Sequence, residues 1–318
     1  MYISSKMRIV YRYLRSAALL LAALAALTPT SCQMENASPD AGILRETSLT
    51  IQATYETPDV GTKTVLHDDG FVYWSPYDSI SLFYGSGMAG GSKFIAQNAT
   101  DVRVTNFSGK IGVVTGGDEI SESETFFWGL YPYDSTSSCD GETVTMQIAS
   151  VQKGVAGTFA SGYAPSLGRA KGLMLAFRNI YSGLIFSVNN PGFLSLTFST
   201  NNGALIAGRA KVGVDNGNIP VVREIIEGTN SVSVNAPTTD GFEVGKKYYM
   251  LFFPFTGGFT MKLNSATQTG VFSFTGSLAF ERNLLKEASG LDNACQFEDL
   301  VGNGQSEGFV LGGTGIWD

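Results

Sequence analysis

Apolar and polar residues alternate along most of this chain with the two-residue period of half-buried β-strands. Residues 48–55 form the first such segment, which places Leu49, Ile51, Ala53 and Tyr55 on one face. Further strands are predicted at 79–84, 101–107, 125–131, 143–148, 193–199, 204–214, 231–234, 247–254, 259–263 and 271–280. No crossover helix is predicted between them, so the pattern indicates an all-β protein and not a parallel α/β sheet.

The strand pattern is interrupted once near the middle of the chain. Residues 151–168 are rich in Gly, Ser and Ala, and they are predicted to link two domains. We therefore expect two tandem β-sandwich domains at 48–165 and 172–300, followed by a Gly-rich tail at 301–318. Within the second range, residues 283–288 (NLLKEA) predict a helix of barely two turns.

The first 47 residues have a different pattern. A basic segment precedes an uninterrupted apolar run at 16–27, which is short for a bilayer span and typical of a secretory signal. Cys32 follows this run after a short polar break, an arrangement that resembles a bacterial lipoprotein signal. We predict that 1–31 is a signal peptide, that Cys32 carries the lipid, and that 32–47 is a tether or pro-segment. The alternative is an ordinary signal peptide with an incidental cysteine.

Net charge limits the possible partners, and the cysteine count limits the possible kinds of scaffold. The formal net charge is −7, and loss of the four basic residues of the signal leaves 17 Lys and Arg against 28 Asp and Glu, a net of −11. An acidic surface argues against nucleic acid as a partner, because phosphates are bound by Lys and Arg. Cys139 and Cys295 are too few for a disulfide-built scaffold, and the sequence leaves open whether they pair.

Residues suited to catalysis are sparse. His67 is the only histidine, and it lies in a predicted turn without the G-x-S-x-G motif of a serine hydrolase. A zinc site needs several His or Cys ligands, which the chain lacks. A solvated loop accounts for Glu119, Glu122 and Glu124, and a surface loop accounts for the Gly-rich residues 85–92. The sequence therefore predicts no enzyme, no metal and no cofactor.

Several segments in order resemble the fimbrillin-like (type V pilin) lipoproteins of Bacteroidales bacteria. They are 62–83 (TKTVLHDDGFVYWSPYDSISLF), 127–133 (FWGLYPY), 152–165 (QKGVAGTFASGYAP), 175–188 (LAFRNIYSGLIFSV), 204–220 and 241–254. The resemblance implies transthyretin-like β-sandwiches, exported as a surface lipoprotein of the outer membrane. In polymerising members a trypsin-like protease removes the first strand, and a strand of a neighbouring subunit fills the groove.

In this chain the resemblance implies two candidate processing sites at basic residues and a candidate donor strand in the tail. A cut after Arg45 would remove only polar residues, whereas a cut after Lys63 would release the strand at 48–55. An exposed basic residue without a processing role is the alternative for both. The candidate donor strand lies in 307–318 and carries Phe309, Leu311 and Ile316, although a tail packed on its own domain explains these residues equally.

The first functional hypothesis is a non-enzymatic fimbrial subunit or pilus-associated adhesin, with other pilin subunits as partners in a homo- or heteropolymer. The alternative is a monomeric surface lipoprotein that binds a host or bacterial glycan or protein. Exposed aromatic residues such as Trp74, Tyr77, Trp128 or Tyr133 would then form the binding surface, although core packing is the favoured interpretation of the Tyr-Pro-Tyr cluster at 131–133. A β-sandwich hydrolase is a third hypothesis, which no motif supports.

Overall fold

The computed structural model describes residues 44–56, 73–84, 88–89, 91–114, 125–160 and 162–300. Up to residue 179 the strands are β1 (Leu44–Tyr55), β2 (Ser79–Tyr84), β3 (Met88–Ala89), β4 (Ser92–Ala96), β5 (Val104–Val114), β6 (Phe126–Tyr131), β7 (Ser138–Cys139), β8 (Val144–Ile148), β9 (Val151–Lys153), β10 (Ser166–Lys171) and β11 (Met174–Asn179). The predicted all-β class is confirmed.

The later strands are β12 (Ser182–Phe186), β13 (Phe193–Thr200), β14 (Ala207–Val214), β15 (Pro220–Thr229), β16 (Ser231–Asn235), β17 (Tyr248–Phe252), β18 (Phe255–Ser265), β19 (Gln268–Phe280), β20 (Leu285–Ala288) and β21 (Gln296–Asp299). A single 3-10 turn at Leu291–Ala294 is the only helix in the described part of the chain.

Seven strands form a closed barrel in the order β1-β11-β10-β6-β2-β4-β5. The pair β1–β11 is parallel, whereas β10–β11, β10–β6, β2–β6, β2–β4 and β4–β5 are antiparallel. Trp74 fills the interior, with its ring centre 4.9 Å from that of Phe107 and 5.2 Å from that of Phe177. The barrel core is thus built from large aromatic side chains.

The other strands form three sheets, with the orders β17-β12-β20, β21-β19-β18-β13-β16-β9 and β15-β14-β8-β7-β3. Phe198 of β13 lies at the centre of their aromatic core. Its ring centre is 4.8 to 5.9 Å from the rings of Phe252, Phe255, Phe259 and Phe280. This core continues without a break to barrel residues such as Phe83 and Trp128.

Strand pairing crosses the predicted domain ranges 48–165 and 172–300, so the strands of the two ranges are interleaved. β8 pairs with β14, and β9 pairs with β16, so residues 138–153 belong to the sheets of the second half. In the opposite sense, β10 and β11 complete the barrel through β6 and β1. The Gly-rich residues around 160 therefore connect β9 of the six-stranded sheet to β10 of the barrel. Strands from before and after this connection occur in both the barrel and the other sheets.

The predicted helix at 283–288 is wrong. Leu285–Ala288 is β20, which pairs in parallel with β12 along Gly183–Phe186. A helix of two turns is marginal on its own, because the cost of nucleation is recovered over few hydrogen bonds. The same backbone groups instead form a parallel ladder with β12, a fully buried strand.

The interleaving leads to a prediction about fragments. A fragment of residues 172–300 lacks β8 and β9, which exposes the buried Ala210 and Val212 on β14. Adding a synthetic peptide of residues 138–153 should raise its melting temperature, measured by circular dichroism. A peptide of residues 92–114, whose strands β4 and β5 pair only within the barrel, should have no effect. Equal responses to both peptides would contradict the interleaved pairing.

Candidate strand-exchange site

β1 is the strand that closes the barrel, and its parallel partner is β11. Gln52 lies opposite Met174 and Tyr55 lies opposite Phe177 in this register. The ladder continues one residue beyond the strand, where the backbone N–H of Glu56 donates to the carbonyl oxygen of Phe177 over 2.8 Å. Parallel pairing of this kind is slightly less stable per residue than antiparallel pairing.

The other neighbour of β1 in the barrel is β5. The hydroxyl groups of Thr50 and Ser108 are 2.9 Å apart, and the Lys110 ammonium lies 2.8 Å from the Glu46 carboxylate. Both contacts are exposed to solvent. If β1 left, β5 and β11 would each present a strand edge with unpaired backbone groups, which is the property that accepts a foreign strand.

The inward face of β1 is the one that the alternation predicted. Leu49, Ile51 and Ala53 are buried in the barrel core. Tyr55 continues this face and stacks on Trp74, with ring centres 3.9 Å apart. Each large apolar side chain buried here contributes roughly 1.5–3 kcal/mol. Loss of β1 would therefore expose a row of apolar sites.

An ion pair fixes the end of β1 to the segment between β19 and β20. The Arg282 guanidinium donates through Nη1 and Nη2 to the two carboxylate oxygens of Glu56, over 2.8 and 2.7 Å. Nη1 also donates to the Asn179 carbonyl oxygen over 2.7 Å, and the Asn179 N–H donates to Glu56 over 3.2 Å. The side chains of Arg282 and Glu56 are only 19% and 14% exposed. We call this group the β1 clamp.

A cavity of about 210 Å³ lies beside the end of β1 and is lined by Tyr55, Asp78, Tyr131 and Tyr181, among others. The Tyr131 hydroxyl donates to one Asp78 oxygen over 3.1 Å, and the Ser75 N–H donates to the other over 2.8 Å. Burial raises the pKa of Asp78. Burial and then the Asp78 charge raise the pKa of Tyr131, so this phenol remains a neutral donor. Asn179, whose carbonyl oxygen belongs to the β1 clamp, also lines this cavity.

Most of the site residues predicted from the sequence lie outside the described residues. These are Cys32, Lys63 and the donor candidates Phe309, Leu311 and Ile316. Their roles stay predictions.

Arg45 is the exception among the predicted site residues. The strand begins at Leu44 and not at residue 48, so Arg45 belongs to β1. A cut after Arg45 would leave the buried residues Leu49, Ile51 and Ala53 in place. This position therefore does not empty the barrel wall.

The surface proposed for glycan binding is wrong for two of its four aromatic residues. Trp74 is 0% exposed and Trp128 is 2% exposed, because both fill hydrophobic cores. Tyr77 is 84% exposed. Tyr133 is half-buried, with the Lys93 ammonium 5.1 Å from its ring centre. The four aromatic side chains do not form one exposed surface.

Three further features concern only the described residues. No group of three or more His, Cys, Asp or Glu side chains there is arranged to hold a metal ion. No helix in those ranges is long and apolar enough to cross a membrane. Cys139 and Cys295 are both free thiols, and burial followed by the Asp292 charge raises the pKa of Cys295 to about 11.

No protein-family model and no curated protein matches the chain. Solved structures to which this chain is similar include the following two. A protein assigned to cell adhesion from Bacteroides ovatus superposes with a TM-score of 0.43 at 10% identity, covering 80% of this chain and 96% of that chain. A fimbrial protein from the same organism superposes with a TM-score of 0.36 at 9% identity, covering 76% of this chain and 48% of that chain.

The β1 clamp leads to a prediction about stability. Glu56→Gln and Arg282→Gln should each lower the free energy of unfolding by about 2–4 kcal/mol, because each leaves a largely buried charge without its partner. Urea denaturation measures this quantity. Glu46→Gln is the matched control, since it breaks the exposed pair at the other end of β1 and should cause no measurable change. Equal effects of Glu46→Gln and Glu56→Gln would contradict the role given to the clamp.

Proposed function

We propose that this protein is a fimbrial subunit or pilus-associated adhesin that assembles when β1 is replaced by a strand of another subunit. It is held at the outer membrane, on the cell surface, by lipid on Cys32. Its partners are other pilin subunits, in a homo- or heteropolymer. The observation that supports this most is the closure of the barrel by the first described strand. Assembly by strand replacement requires no catalytic chemistry, and the proposal includes none.

The covalent connection of β1 suits removal by one cut. β1 is joined to the remaining described strands only through residues 57–72, which contain Lys63. A cut there separates β1, together with everything before it, from the other six barrel strands. β1 is then retained only by non-covalent contacts, one side of which is the parallel pairing with β11.

The apolar core beneath β1 makes an empty groove unfavourable, so a replacement strand is expected to occupy it. Trp74, Phe107 and Phe177 belong to the same cluster as Leu49 and Ile51, and they would face the gap. An exposed apolar groove bordered by two unpaired strand edges is an aggregation hazard unless another strand occupies it. Such a groove provides both main-chain hydrogen bonds and side-chain pockets for an incoming strand.

The proposed donor is the tail at 307–318. The described chain leads to it through β21, an edge strand of the six-stranded sheet whose four residues are all exposed. β21 pairs with β19 and lies outside the barrel. A segment that follows an exposed edge strand is suitably placed to extend toward a second subunit.

Strand exchange can be tested with an engineered cut. In this variant the recognition sequence of a site-specific protease replaces residues 60–66. After cutting and partial denaturation, the released fragment that carries β1 is removed, and the protein is returned to native buffer with a peptide of residues 44–56 or of residues 307–318. Each peptide should raise the melting temperature of the cut protein and leave that of the uncut protein unchanged, because only the cut form has a vacant groove.

The two peptides separate the parts of the proposal. Binding of 44–56 alone would show that the groove accepts a strand but that the tail is not the donor. If neither peptide shifts the melting temperature of the cut protein, strand exchange is wrong. A monomeric glycan-binding lipoprotein, with the exposed Tyr77 as a contact residue, would then be the better account.

The lipid anchor is tested separately. Cys32→Ala should abolish incorporation of labelled palmitate and release the protein from membranes, because the thiol that accepts the lipid is absent. Cys139→Ala is the matched control and should retain the label, since Cys139 is buried in β7. Unchanged labelling of the Cys32→Ala protein would show that the anchor is elsewhere.

A further inference from the structure

The proposed exchange would separate the two partners of the β1 clamp. Glu56 directly follows Tyr55, the last inward residue of β1, and it would leave with the strand. Arg282 lies between β19 and β20, so it would stay with the barrel. Its Nη1 would remain tied to the Asn179 carbonyl oxygen, 2.7 Å away, which holds the guanidinium in place.

Departure of β1 would thus leave a cation without its counter-charge at the end of the groove. The Arg282 side chain is only 19% exposed while the clamp is intact. A strand that filled only the apolar sites would leave this charge largely buried and unpaired, which is strongly unfavourable. A strand with a carboxylate at the matching position would restore a forked ion pair.

We propose that Arg282 selects the strand that replaces β1 by requiring an acidic residue directly after the last inward side chain. The inference rests on the strand exchange proposed above, and it identifies the chemical feature that the groove recognises. The backbone and the apolar pockets accept many strands, whereas a forked guanidinium at one end fixes both the register and the identity of one residue.

The candidate tail meets this requirement in a single register without gaps. When Asp318 is placed at the position of Glu56, Trp317 falls at that of Tyr55. An aromatic residue followed by an acidic residue therefore ends both segments. The proposed occupant of the vacant groove is this tail from a second copy of the chain.

The same register arranges the rest of the tail. Leu311 falls at the position of Leu49, so the largest aliphatic site at the start of the groove keeps its residue type. Phe309 is on the same side of the strand but falls at the position of the exposed Thr47, and Ile316 falls on the outward face, since side chains alternate along a strand. Gly313 and Gly315 take the positions of Ile51 and Ala53, where the donor fills the groove less well than β1 does.

The test is a double-mutant cycle on the cut protein. Four peptides are compared, all with amidated C-termini: residues 44–56 with and without Glu56→Gln, and residues 307–318 with and without Asp318→Asn. Binding is measured by fluorescence anisotropy to the cut protein with Arg282 and to its Arg282→Gln variant. Loss of the carboxylate should weaken binding at least about tenfold to the protein with Arg282 and less than about threefold to the Arg282→Gln variant. The difference is expected because only the former protein is left with a desolvated, unpaired cation.

Two controls keep the outcome interpretable. Glu46→Gln in the 44–56 peptide removes the exposed pair with Lys110 and should leave binding unchanged. Arg282→Lys keeps the cation, so it should keep the carboxylate dependence. This variant separates the effect of the charge from a folding defect of the Arg282→Gln variant. Equal loss on the Arg282 and Arg282→Gln proteins, or no loss on either, overturns the inference.

The failure of this inference is distinguishable from that of the proposed function. If the 44–56 peptide binds without any dependence on Glu56, strand exchange stands and selection by Arg282 is wrong. If the dependence on Glu56 is found but 307–318 does not bind, selection by Arg282 stands and a different acidic strand is the donor. If no peptide binds, strand exchange itself fails.

Discussion

The pairing of β1 with β5 and β11 turns an open sheet into a closed barrel. Closure removes the two sheet edges at once, and the inward side chains of β1 complete the packing around Trp74. Because the same strand supplies hydrogen bonds on both sides and part of the core, its loss would affect two neighbours and the interior together. β1 combines these contacts with one covalent connection, residues 57–72, to the other barrel strands.

The contacts of β1 divide into two kinds that differ in specificity. Its apolar face packs into the barrel core, and such packing accepts many side chains of similar volume. The β1 clamp is a directional interaction at a single position, where the guanidinium of Arg282 meets a carboxylate in a largely buried site. An interaction of this second kind can distinguish one strand from another, whereas apolar packing mainly determines how tightly any strand is held.

Alternation along the chain was enough to predict many strands and the inward face of β1. Strands such as β2, β6 and β8 lie within a residue of their predicted bounds, because each has a buried face and polar turns beside it. β15 was not predicted, since Arg223 and Glu224 interrupt its apolar pattern at an exposed sheet edge. The sequence 283–288 favoured a helix locally, and pairing with β12 decided the outcome.

The features that make the candidate site were not accessible from local patterns. Barrel closure depends on a parallel pairing between β1 and β11, which lie more than a hundred residues apart. Glu56 and Arg282 are separated by 226 positions, and neither has a neighbouring residue that signals a partner. The two buried tryptophans show the same limit, because an aromatic residue near a strand end is equally compatible with a core and with an exposed surface.

Replacement of β1 during assembly can be observed directly. Electron cryo-microscopy of the assembled protein, purified from the cell surface, would show which residues lie between β5 and β11. We expect a strand from another subunit there, with a carboxylate paired to Arg282. Finding residues 44–55 of the same chain still in that position in the assembled protein would contradict it.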